Sequence, residues 1–136
     1  MRIIIQVMAA FALLLFSGWT SASGETLNAK ANVVNPVGFF YFYTSREYGC
    51  ETLGRPMVRV SRKPQNGTLR TEVRKSVMNP KGACKGRPAI GVAVWYTPNK
   101  GYRGPDRFSF TMSFPGVAPG STYGQSRHQS YNVNVK

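Results

Sequence analysis

Tyr96-Thr97-Pro98-Asn99-Lys100-Gly101-Tyr102-Arg103-Gly104-Pro105-Asp106-Arg107-Phe108-Ser109-Phe110 joins two alternating runs through a tight corner. Before the corner, Val92, Val94 and Tyr96 lie opposite Ala93, Trp95 and Thr97. After it, Phe108, Phe110, Met112 and Phe114 alternate with Arg107, Ser109, Thr111 and Ser113. A period of two is the signature of strands with one buried face. Gly101 and Gly104 permit a positive φ where the chain turns. Tyr102 can fold inward over the end of a two-layer core, and Asp106 can accept hydrogen bonds from loop amides before Phe108 enters that core.

The same period extends outward in both directions. Val58 and Val60 alternate with Arg59 and Ser61; Leu69, Thr71 and Val73 with Arg70, Glu72 and Arg74; Tyr131, Val133 and Val135 with Asn132, Asn134 and Lys136. Phe39 to Tyr43 is aromatic on both faces, and Ala31–Val34 is a short apolar stretch that Asn35-Pro36 interrupts. Turn residues separate the runs: Pro64-Gln65-Asn66-Gly67, Asn79-Pro80-Lys81-Gly82, Pro98-Asn99-Lys100-Gly101 and Pro115-Gly116. Asn66-Gly67 is the strongest hairpin signal among them. No window carries a sustained 3.6-residue period. With 14 Gly and 9 Pro in 136 residues, the chain reads as all-β, an immunoglobulin-like antiparallel β-sandwich of about seven strands. Val77–Pro88, with Cys84 and little periodicity, reads as a pinned loop, and the polar Pro115–Gln129 as a mobile hairpin loop.

Pro64, Gly67, Tyr96, Pro98, Gly101, Tyr102, Gly104, Asp106 and Phe108 fall in the pattern P-x-x-G-x-ϕ, then Y-x-P-x-x-G-ϕ-x-G-x-D-x-F, where ϕ is apolar or aromatic. Together with the terminal Val133 and Val135 this resembles the bacterial cadherin-like or Ig-like tandem repeats of large secreted adhesins and surface proteins, over roughly Arg59–Lys136. The resemblance implies a β-sandwich and assigns those nine residues structural roles. The chain carries one copy of the pattern, with a lengthened, Cys-bearing stretch between its halves. It has no Asp-x-Asp pairs, so the calcium role of such repeats does not carry over.

Residues 1–22 read as a secretory signal peptide: a basic Met1-Arg2, an apolar Ile3–Phe16 interrupted by Gln6, and a small-residue exit with Thr20 and Ala22 before the cut. The apolar run falls short of the ~20 residues needed to span a bilayer as an uncleaved anchor. Cleavage leaves residues 23–136 as one domain, periplasmic or extracellular. In such a compartment Cys50 and Cys84 are expected to form a disulfide rather than remain free thiols; a metal site would need more ligands than one His provides.

The inventory for catalysis is thin: one Asp, four Glu and a single His128 beside Arg127, with no G-x-S-x-G turn. The expectation is a protein with no catalytic residues, no metal and no cofactor. Charge is the remaining functional signal, since 18 Lys+Arg against 5 Asp+Glu give a formal +13. Small soluble domains usually carry a net charge of about 2–8 in magnitude. Arg59, Arg62, Lys63, Arg70, Arg74, Lys75 and Arg107 are the candidate polyanion-binding residues, with lipopolysaccharide, acidic polysaccharide or an envelope protein as partner. Tyr41, Tyr43 and Trp95 are candidates to stack on sugars or bases, against the plainer reading that they pack the core. The alternatives are a structural subunit or inhibitor acting by shape or edge-strand pairing, and a small secreted hydrolase.

Overall fold

The computed structural model describes residues 24–79, 81–117 and 124–136; the expected signal segment 1–22 lies outside them. Seven strands are present: β1 (Glu25–Ala29), β2 (Asn35–Phe40), β3 (Met57–Arg62), β4 (Gly67–Val77), β5 (Pro88–Pro98), β6 (Gly104–Val117) and β7 (Gly124–Val135). A single 3₁₀ turn, Arg46–Tyr48, is the one helical element among the described residues. The strands form two sheets, ordered β1-β7-β6-β3 and β2-β5-β4. This is the all-β sandwich expected, with the Greek-key order of the immunoglobulin type. The pairing is not wholly antiparallel: β1 runs parallel to β7, Glu25 opposite Tyr131 and Ala29 opposite Val135. A chain that leaves β1 for the other sheet needs no tight hairpin with β7, so a parallel edge is permitted.

The core sits where alternation was strongest. Val92, Val94 and Tyr96 of β5 meet Phe108, Phe110 and Met112 of β6 and Tyr131, Val133 and Val135 of β7, all buried. The rings stack in series: Tyr96–Phe108 at 5.6 Å, Phe108–Tyr131 at 5.1 Å and Phe110–Tyr131 at 6.0 Å between centroids. Each such pair contributes about 0.5–1.5 kcal/mol beyond its buried area.

Three expectations need correction. The polar stretch Pro115–Gln129 is mostly strand: β6 runs to Val117 and β7 starts at Gly124, with 118–123 outside the described residues. Serine and glutamine can fill strands whose outer face is wet, and the polar composition there hid the pairing. Ala31–Val34 is a turn, not a strand; β2 begins at Asn35, whose side chain accepts from the Lys30 amide (2.8 Å) and donates to the carbonyls of Lys30 and Val33. Pro36 is tolerated because β2 is an edge strand. Finally, Thr71 and Val73 are exposed although they occupy the inward phase of β4, because this strand is itself an edge and overhangs the core.

The corner motif works as its chemistry suggested. The Asp106 carboxylate accepts from the amides of Gln65 (2.9 Å), Asn66 (3.0 Å) and Arg107 (2.8 Å) and from the Tyr96 hydroxyl (2.8 Å). It ties the β3–β4 turn to β5 and β6. Gly101 (φ 77°) and Gly104 (φ 129°) take the positive φ the corner demands, and Tyr102 packs against the core with its hydroxyl donating to the Pro105 carbonyl. Gly67 is required for a different reason: a Cβ there would lie 2.5 Å from the Tyr96 ring and 2.7 Å from the Thr97 carbonyl. Pro98 is buried and Pro64 half-buried at the same end.

Cys50 and Cys84 are bonded, with Cα atoms 5.5 Å apart. The bond lies outside the main core and joins the β2–β3 connection to the β4–β5 loop. Met78 and Ala89, with the half-buried Phe39 and Tyr41, pack around it as a second small cluster.

Candidate functional site

The outer face of the β2-β5-β4 sheet is assembled by register. Arg70 lies opposite Trp95, Glu72 opposite Ala93 and Arg74 opposite Gly91; Phe39 of β2 lies on the other side of Ala93. Partners in an antiparallel pair share a face, so these residues all point away from the core. The Arg70 guanidinium is 4.7 Å and that of Arg74 5.8 Å from the Trp95 ring centroid, both within cation–π range. Glu72 stands between the two arginines and pairs with Arg70 at 3.6 Å, the one ion pair among the described residues. Both partners are well exposed, so this pair adds little stability and leaves the guanidinium edges available.

Small residues create the rest of the platform. A Cβ on Gly91 would clash with the Phe40 carbonyl oxygen and come 2.7 Å from the Phe39 ring, so its absence leaves room for that ring over β5. Phe39 continues into a ladder with Tyr41 (5.5 Å) and Tyr43 (5.6 Å). The ladder leads to a cleft of about 380 Å³ between the Phe39–Tyr43 segment and the inward face of the β6–β7 hairpin. Phe40, Phe42 and Met112 line the cleft, Lys81 and Arg127 add positive charge, and Asn79 and Gln129 add hydrogen-bonding groups. Arg127 lies over the Phe42 ring at 5.7 Å, and the Tyr41 hydroxyl accepts from the Asn79 amide at 2.7 Å. The Cys50–Cys84 bond holds the loop carrying Lys81.

The seven candidate basic residues are all exposed but do not form one surface. Arg70 and Arg74 belong to the platform. Arg59 is paired with Thr111, and Arg107 with Asn132, on the outer face of the opposite sheet. Arg107 Nε there donates to Asn132 Oδ1 at 2.8 Å, and Arg62 lies near it beside Gln65 and Asp106. Lys63 lines the seam between β3 and β4, and Lys75 projects from the overhanging end of β4. Alternation separates inside from outside and cannot say on which sheet an outward residue falls. Tyr43 and Trp95 belong to neither core cluster, whereas Tyr41 packs against the small cluster around the disulfide, as the core-packing reading has it.

Among the described residues no acid–base pair is assembled around the histidine. His128 Nδ1 meets Thr111 Oγ1 at 3.1 Å on the outer face of the four-stranded sheet. Asp106 is five register steps along β6, about 16 Å away. Among the described residues the groups with displaced ionisation are two structural tyrosines. Burial, then the Asp106 bond, raises Tyr96 well above the tyrosine range. Burial, then Glu25, pushes Tyr131 up to about 12. Among the described residues no cluster of three or more His, Cys, Asp or Glu is arranged to hold a metal ion.

Fold and surface together define a class: a small disulfide-stapled β-sandwich with an aromatic and guanidinium-bearing outer face. Comparison with protein-family models, with curated proteins and with solved structures found no match.

Proposed function

We propose that this is an exported, non-enzymatic binding module that engages an anionic polymer, an acidic polysaccharide or lipopolysaccharide of the envelope or its surroundings. The observation that carries this reading is Trp95 held under Arg70 and Arg74 on the outer sheet face, with the Phe39–Tyr41–Tyr43 ladder starting on the neighbouring strand β2. A sugar ring stacks on an aromatic face through its C–H groups, while carboxylate, sulfate or phosphate substituents meet guanidinium forks. A polymer gains from both at successive units. The net charge, +13 for the full chain and +12 once residues 1–22 and Arg2 with them are removed, supplies attraction at long range, and Lys81 and Arg127 extend it into the cleft. Export is supported by the composition of residues 1–22 and by the disulfide, and the corner motif supports kinship with the cadherin-like repeats.

The test is binding of heparin and of lipopolysaccharide by the parent and by Trp95→Ala and Arg70→Glu/Arg74→Glu, at low and high salt. Both variants are expected to bind more weakly, and parental binding is expected to fall steeply with salt. Parental binding that ignores salt, or variants that bind as the parent does, would refute the reading.

A further inference from the structure

β4 is an edge strand of eleven residues, Gly67–Val77, paired with β5 without a bulge and carrying no further strand among the described residues. Long free edges are usually blocked by a bulge, a proline or an inward charge. β4 has no proline; its inward phase carries one charge, Lys75, between Val73 and Val77, which are 47% and 59% exposed. Its charges are arranged to match themselves when the strand is reversed. In antiparallel pairing centred on Val73, Glu72 meets Arg74 of the other copy on both sides of the axis. Val73 meets Val73, Leu69 meets Val77, Arg70 meets Ser76 and Thr71 meets Lys75. Centring on Glu72 instead sets Glu72 against itself and Arg70 against Arg74. Centring on Thr71 pairs Arg70 with Glu72 but carries Val77 past the end of the strand, opposite Gln65.

We infer that β4 pairs with β4 of a second copy, antiparallel about Val73, fusing two three-stranded sheets into one of six. Glu72 then sits between its own Arg70 and the Arg74 of the other copy, and the two exposed valines gain apolar neighbours. Opposite charges and apolar pairs directly across a ladder are what stabilise strand pairing. The two-fold axis is perpendicular to the sheet, so both Trp95 platforms face the same side, roughly 25 Å apart. A polymer reaching both would bind with avidity. The interface stands on the strand edge alone and needs no anionic partner.

Sedimentation of the purified protein without ligand, over a hundredfold range of concentration, reads the association directly. Glu72→Arg alone and Arg74→Glu alone each place like charges across the axis twice, and each is expected to weaken the dimer about tenfold or more. The double variant Glu72→Arg/Arg74→Glu restores opposite charges at unchanged net charge and is expected to recover the dimer. Melting temperatures of all variants confirm that each is folded. Val73→Cys places two thiols at the axis and is expected to give a covalent dimer on mild oxidation, ahead of Thr71→Cys. A protein that stays monomeric throughout and yields no Val73→Cys dimer overturns the inference. So do dimers indifferent to the single reversals, or faster cross-linking at Thr71→Cys.

Discussion

Asp106→Ala removes one acceptor from four donors at once, and the cost can be worked from what each donor does next. Tyr96 is 0% exposed, so its hydroxyl is left buried without a partner, which costs about 1–3 kcal/mol. Gln65 and Arg107 are exposed and Asn66 half-buried, so their amides find water, and each lost bond costs about 0.5–1.5 kcal/mol. The total is about 2.5–7.5 kcal/mol, a large share of the ~5–15 kcal/mol typical of a domain. Tyr96→Phe alone is expected to cost about 1 kcal/mol, because Asp106 keeps its three amides. In the Tyr96→Phe background Asp106→Ala orphans no hydroxyl, so its cost is expected to shrink by about 1–3 kcal/mol. Urea unfolding of the four proteins of this cycle measures both quantities. A loss below about 1 kcal/mol for Asp106→Ala, or strict additivity with Tyr96→Phe, would refute the role assigned to Asp106.

Gly67→Ala is expected to destabilise by about 1–3 kcal/mol in thermal or urea unfolding, because the added methyl meets the Tyr96 ring and a carbonyl with no room to move. Reduction of Cys50–Cys84, which closes a loop spanning 34 residues, is expected to lower stability by about 3–4 kcal/mol, read by unfolding with and without reductant. Tyr131 ionises near 12 when folded and near ~10 when unfolded, so stability is complete below pH ~10 and is lost as pH rises through the folded value. Absorbance titration of the seven tyrosines is expected to show late-ionising groups that Tyr131→Phe and Tyr96→Phe reduce in number, with a flatter alkaline decline for Tyr131→Phe.

Alternation is longest in the strands packed on both sides by neighbouring strands, although it also marked the edge strands β3 and β4. In β5, β6 and the second half of β7 every other residue joins the main core cluster, and the period follows directly from that. The edges were harder to read. β1, Glu25–Ala29, turns only Leu27 and Ala29 inward, too few positions to register as a period. β4 keeps the alternation of Leu69, Thr71 and Val73 although only Leu69 reaches the core, since period two records phase and not cover. Asn35-Pro36 reads as a breaker yet opens β2, because the Asn35 side chain satisfies the preceding turn. The corner was legible because its glycines, its tyrosines and the Asp106 bonds to Tyr96 and Arg107 act over short separations, whereas the Asp106 bonds to Gln65 and Asn66 span 41 and 40 residues and leave no local pattern. The candidate site was legible only as a list of outward arginines. Which of them meet Trp95 depends on the β4–β5 register, and the approach of Arg127 to Phe42 joins opposite sheets, which no local pattern encodes.

The most direct test of anionic-polymer binding compares two charge reversals of equal size on opposite faces. Affinity for heparin is measured by titration calorimetry across a series of salt concentrations for the parent, Arg70→Glu/Arg74→Glu and Arg59→Glu/Arg107→Glu. All four arginines are exposed, and net charge changes equally in both pairs, so long-range attraction falls equally. The expected result is a larger loss of affinity, and a shallower dependence of log K on log salt, for the pair beside Trp95. Equal losses for the two pairs, or a greater loss for Arg59→Glu/Arg107→Glu, would contradict the assignment of binding to the Trp95 face.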